Sequence, residues 1–304
     1  MTFAPAMTVT ATTTRLDSGR CSRQGLGSLV ILAACLLVAV TSFAQDSVNT
    51  LTVPRAPVTG PPPVYQSFII TTPYEPVTRP AFVLILLTGG AGSIGLTPTT
   101  TSSMYGLDIN SNNFLVRSRW LFGGQNFYVL TPDSATDFQL LPGGLKGQQG
   151  SAAHVTDVLQ VIAWARAQFG LPVWVVGTSR GTAGAFVAGL NAPPAGPDGL
   201  VFTDSINSTT DPDSLLMANL PGIVVPVLLL EDAGNTCTGT LAPGNAAVVK
   251  ALTGSPLVKR DSVAAGGLVP LTDNCNALSD HGFFGKEKAA VEKIAAWIVA
   301  APLI

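Results

Sequence analysis

The stretch Pro172-Val173-Trp174-Val175-Val176-Gly177-Thr178-Ser179-Arg180-Gly181-Thr182-Ala183-Gly184-Ala185 decides how this chain is read. A short, wholly apolar run, as a central parallel strand requires, leads into Gly-Thr-Ser-Arg-Gly. Small, helix-compatible residues follow to Leu190. Gly-x-Ser-x-Gly between a buried strand and a helix is the pattern of a nucleophile elbow, a turn so sharp that the serine takes a strained backbone and its flanking glycines let strand and helix approach. In a chain with 31 glycines the pattern alone is weak. The alternative is an ordinary Gly-rich strand-to-helix connection; the apolar strand before it and the helical segment after it favour the elbow.

Outward from this point, apolar runs at Tyr65–Thr72, Ala81–Leu87, Asn126–Leu130, Gly199–Thr203 and Val224–Leu230 read as strands. Helical patterns cover Asn113–Leu121, a segment capped by Ser151 that runs to about Gln168, Asn245–Leu252 and Lys286–Ala300. Alternation of this kind predicts an α/β fold with a mainly parallel central sheet and helices on both faces; Tyr65–Thr72 is expected on an antiparallel edge. Residues 97–113, rich in Thr, Ser and Asn, read as a long loop.

The composition is apolar, 47% hydrophobic and 11% charged. Part of the excess is a leader. Arg15, Arg20 and Arg23 precede the apolar run Leu26–Phe43, and Ser42-Phe43-Ala44 offers small residues for cleavage, so residues 1–44 read as a secretory signal peptide. A retained anchor is the alternative, as is lipidation at Cys35, although the residues after Cys35 are apolar rather than a polar tether. Residues 45–64, with five prolines, read as an extended linker, and 65–304 as the folded domain. Removal of the leader leaves Cys237 and Cys275, which in an oxidising compartment most simply form one disulfide. The remaining charge is mildly acidic and unclustered, which argues against nucleic acid or an anionic membrane as partner. No Cys/His spacing resembles a metal site and no cofactor is implied.

The strand ending at Leu87 runs into Thr88-Gly89-Gly90-Ala91-Gly92-Ser93. A Gly-rich loop here can bring backbone N–H groups close to a developing oxyanion, and Gly90 or Ala91 with Arg180 are the candidate donors. A phosphate loop is the rival, but the Gly-Lys-Ser/Thr ending is absent. His281 is the only histidine after Ser179 and sits on a Gly-flanked loop before the last helix, where a general base belongs in the order Ser…acid…His. The other histidine, His154, shares a helix face with Val158, Val161 and Ala165 and reads as a hydrogen-bonded histidine of the core or in support of the site, rather than a catalytic one.

Together these segments resemble the α/β-hydrolase family over residues 65–304, and more closely a group of exported bacterial α/β-hydrolases. The resemblance is carried by Leu87–Gly92, Asn113–Arg119, Pro172–Thr182 and Cys275 with His281-Gly282-Phe283. It implies a Ser179 nucleophile and a His281 base, and says little about substrate; the acyl-enzyme chemistry of such a pair makes a small-molecule ester the first expectation, then an amide or thioester. The acid departs from the family pattern. Counting forward from the strand ending at Leu230 lands on Asn235, which carries no charge. Asp232 is the first choice, with Asp204, Glu231 and an uncharged Asn235 as alternatives. The departure keeps open a non-catalytic binding protein of the same fold. A Cys237–Cys275 bond would clamp the acid and base loops together.

Overall fold

A computed structural model describes residues 45–73, 80–96, 112–264 and 273–303. The predicted leader and most of the predicted loop over 97–113 lie outside the described residues. Eight strands form one sheet: β1 (Asp46–Val53), β2 (Val64–Thr71), β3 (Val83–Leu87), β4 (Tyr128–Pro132), β5 (Val173–Thr178), β6 (Gly199–Thr203), β7 (Val227–Asp232) and β8 (Val258–Val263). Their spatial order is β1-β2-β4-β3-β5-β6-β7-β8. The pairs β1/β2 and β2/β4 are antiparallel and all others parallel. The helices are α1 (Phe114–Gly124), α2 (Ala152–Phe169), α3 (Gly181–Gly189), α4 (Ala242–Ala251) and α5 (Glu287–Ala300).

The apolar runs are continuous because both faces of the sheet are covered. Successive side chains of a strand point to opposite faces. Val83, Ile85, Val173, Val175, Leu200, Phe202, Val227 and Leu229 therefore pack in one layer with α2, α3 and α4. Leu84, Leu86, Trp174, Val176, Val201, Leu228 and Leu230 pack on the other side with α1 and α5. This is the architecture that the sequence predicts.

Two segments differ from the sequence expectation. Residues 45–64 are not a loose linker: β1 pairs along its whole length with β2, and the prolines occupy the connection between them. Strand β1 packs Val48, Leu51 and Val53 against the core and is also tied down by charge. Asp46 pairs with Arg119 at 2.7 Å. Arg55, just past the strand, bridges Asp137 and Asp157, each at 2.7 Å. Strand β8 was not expected, because Val258-Lys259-Arg260-Asp261-Ser262-Val263 carries the charges of an exposed sheet edge.

Among the described residues Arg55 is the one cation on two buried carboxylates, so its loss leaves both uncompensated. We expect Arg55→Ala to lower unfolding stability by about 3 kcal/mol, read as a lower denaturant midpoint at unchanged slope.

Candidate functional site

The site is built at the carboxyl ends of the parallel strands, where an open α/β sheet leaves a crevice. Strand β5 ends at Thr178 and α3 begins at Gly181, so two residues make the turn. Ser179 takes φ 53°, in the left-handed region that non-glycine residues avoid. Its N–H donates to the Thr203 carbonyl at 3.0 Å, and its own carbonyl accepts from the Thr182 N–H and hydroxyl, which fixes the turn. The flanking glycines are required by space. A Cβ on Gly177 would lie 2.5 Å from the Gly181 carbonyl oxygen, and one on Gly181 would lie 2.3 Å from the Leu87 oxygen.

The loop after β3 lies against this turn. A Cβ on Gly89 would fall 2.9 Å from Ser179 Cβ. Gly89, Gly90, Ser179, Arg180 and His281 all line one cavity of about 620 Å³. Among the described residues, the N–H groups of Gly90 and Arg180 make no hydrogen bond. Ala91 does not line this cavity; its carbonyl accepts from Leu145. The Arg180 guanidinium is held by Asp211 and Asp213.

His281 sits in a short 3₁₀ turn, Asp280–Gly282, that is pinned from several sides. Its N–H donates to the Ser279 hydroxyl at 3.2 Å. Arg117 of α1 donates to the carbonyls of Ala277 and Gly282 and pairs with Glu287. Cys237 and Cys275 form a disulfide, with Cα atoms 4.7 Å apart, and both line the cavity. The bond joins the loop after β7 to the segment before His281, as the sequence suggested. Burial holds the imidazole neutral, with its pKa lowered to about 4; Asp273 opposes this weakly.

The carboxylates fall differently from the sequence expectation. Among the described residues none forms an ion pair with His281. Asp232, the first choice for the acid, is ion-paired with Lys286 and accepts from the Gly234 N–H at 2.8 Å. Glu231 pairs with Arg260 and accepts from Asn245. Asp204 is fully buried beneath the site at φ 41°; it accepts from the Asp232 N–H, and burial pushes its pKa well up. His281 Nδ1 instead faces the Thr240 hydroxyl at 3.2 Å, and Asn235 Nδ2 donates to that same oxygen at 2.9 Å. Sequence reasoning missed Thr240 and Arg117. A lone threonine in a loop has no spacing signature, and Arg117 stands out in the sequence only within Asn113–Arg119, one of the segments that carry the resemblance.

His154 is where the sequence places it, on the buried face of α2. The hydrogen bonds that the sequence leads us to expect are not there: among the described residues neither ring nitrogen has a partner, and burial lowers its pKa to about 4.

The disulfide closes a loop across 38 residues. Chain entropy gives such a closure about 4 kcal/mol. We expect Cys237→Ala/Cys275→Ala to lose unfolding stability of about 4 kcal/mol, read as a lower denaturant midpoint, with a larger proportional loss of activity than of ground-state substrate binding.

No protein-family model matches the chain, and no curated protein matches it in sequence. Solved structures do match in fold. The Pyrococcus furiosus esterase Pf2001 aligns with a TM-score of 0.55 at 11% identity, covering 85% of this chain and 92% of that one. The bacterial brefeldin A esterase, a homologue of human hormone-sensitive lipase, aligns at 0.54 and 16% identity over 86% and 77%. The peroxisomal α/β-hydrolase Lpx1 of Saccharomyces cerevisiae aligns at 0.52 and 10% identity over 86% and 91%. The chain therefore has the α/β-hydrolase fold.

Proposed function

We propose that this chain is an exported serine hydrolase that cleaves a carboxylic ester through an acyl-enzyme. The carrying observation is Ser179 at φ 53° on the β5–α3 turn, opening into a cavity it shares with His281 and the Gly89-Gly90 loop. In this reading His281 Nε2 takes the hydroxyl proton as Ser179 Oγ attacks the acyl carbonyl. The unpaired N–H groups of Gly90 and Arg180 receive the oxyanion, and Gly90 is favoured over Ala91 because it alone of the two lines the cavity. The protonated His281 returns its proton to the leaving alkoxide. Water activated by the same imidazole then releases the acid and restores Ser179. Two of the fold neighbours are esterases, which supports an ester over an amide or thioester. Export is supported by the disulfide and by the sequence of residues 1–44, which lie outside the described residues. Among the described residues no helix is long and apolar enough to cross a membrane.

One observation favours a second reading, a ligand-binding protein of the same fold: His281 faces a hydroxyl rather than a carboxylate. A panel of chromogenic short-acyl esters separates the two. The enzyme reading expects Ser179-dependent turnover. The pH profile carries a further expectation, because the base must be unprotonated to act. With the His281 pKa lowered to about 4, kcat/KM rises with pH through that region and is already near its plateau by about pH 5 to 6. An unperturbed histidine, with a pKa of about 6.5, would still be losing activity there.

A further inference from the structure

We propose that Thr240, oriented by Asn235, holds the position at His281 Nδ1 that a carboxylate holds in a Ser-His-acid triad, and acts as the positioning residue for the imidazole. The inference rests on the serine-hydrolase reading and deepens it.

The assignment follows from counting protons. A threonine hydroxyl has one donor and two acceptor sites. The Asn235 amide is fixed in orientation, because its Oδ1 accepts the Cys237 N–H at 2.9 Å, so its Nδ2 must face Thr240. That N–H fills one acceptor site of Thr240 Oγ1. The Cys237 carbonyl, 3.4 Å away, is an acceptor that can take the hydroxyl proton. One acceptor site on Oγ1 remains, and it faces His281 Nδ1 at 3.2 Å. An acceptor there selects the Nδ1–H tautomer and leaves Nε2 bare, as a general base toward Ser179 requires. Thr240 is itself buried, so the arrangement is shielded from water.

The other groups around the ring do not compete for this place. Asp232 and Asp280 are bound to Lys286, and Asp273 is exposed. Asp204 lies behind Asn235 and contacts the amide, not the ring. A neutral acceptor fixes the ring and its tautomer but adds no charge to balance an imidazolium. The low basicity of His281 fits that difference.

The test uses the full disulfide-bonded chain. The second-order rate of labelling by a fluorophosphonate probe is measured for the wild type, Thr240→Val and Thr240→Ser, and the His281 tautomer is read by ¹⁵N NMR. The chain has only two histidines, so the spectrum is simple. We expect Thr240→Val to label about 10- to 100-fold more slowly, the scale of a lost positioning contact. Thr240→Ser should stay close to the wild type, and the wild-type ring should carry its proton on Nδ1. Labelling of Thr240→Val at the wild-type rate, or a wild-type Nε2–H tautomer, overturns the proposal. If the wild type does not label at all, the hydrolase reading fails. The tautomer in the wild type and its change in Thr240→Val then decide the role of Thr240 separately. Should Thr240→Val not fold, the wild-type tautomer and the Thr240→Ser rate still decide it. A further variant, Asn235→Asp, places a charge behind the hydroxyl and should move the acid limb of the pH profile upward.

Discussion

Ser179→Ala is expected to abolish covalent labelling by fluorophosphonates and to lower ester turnover by several orders of magnitude, toward the roughly 10⁶ lost when the nucleophile of a full carboxylate triad is removed. The backbone supports a clean interpretation. Alanine keeps the Cβ, so the packing at φ 53° is unchanged, and the bonds that fix the turn use the main-chain N–H and carbonyl of residue 179. Stability should therefore stay within about 0.5 kcal/mol of the wild type, and a thermal melt run beside the kinetics checks that. A variant that keeps its melting temperature and loses turnover has lost chemistry rather than fold. Turnover that survives Ser179→Ala would place the reaction on another group.

His281→Ala is the second large effect. Without an acceptor for its proton the Ser179 hydroxyl is a poor nucleophile, so turnover and labelling should both fall by about 10⁴-fold or more. The loss should lie in kcat, because the rest of the cavity wall, including the disulfide and Phe114, is untouched. Some stability change accompanies it, since the buried ring is removed. Its sign depends on pH. A neutral histidine with a pKa of about 4 in the fold and about 6.5 unfolded costs stability as pH falls from 6.5 toward 4, because the unfolded chain binds the extra proton. His281→Ala should therefore lose less stability on acidification than the wild type does. His154, with the same direction of shift, stays in the variant and keeps part of the acid sensitivity.

Much of the fold was legible because it is periodic. Six strands and all five helices announce themselves as apolar runs or amphipathic stretches, with Asn113 and Ser151 capping α1 and α2 as their side chains suggest. The elbow was legible because its glycines answer to sterics, and Gly177 and Gly181 have no room for a side chain. Strand β1 was not legible, since Asp46 and Arg55 anchor it through partners 73 to 102 residues away in the chain. Its prolines belong to the turn beyond it. Strand β8 hid for the opposite reason, as an edge whose charges look like a loop.

The site divides along the same line. Ser179 and His281 each have a local context that marks them. The group facing His281 Nδ1 does not, because it is chosen by how one loop folds back. Counting along the chain reached the correct loop and stopped at Asn235. That side chain does lie in the cluster, one hydrogen bond removed from the ring, with Thr240 between. Asp232 has a carboxyl group at the end of β7, but Lys286, a residue of the distant α5 cap, draws it away from the imidazole. Charge count alone could not reveal that competition.

The central claim is that Ser179 is an activated nucleophile. Its most direct test is incubation of the purified, disulfide-bonded protein with a fluorophosphonate, followed by intact mass and peptide mapping. The account predicts one adduct per chain, located on Ser179, and none in Ser179→Ala or His281→Ala. An unmodified wild-type protein, or an adduct on any other residue, would contradict it and leave the cavity as a binding site.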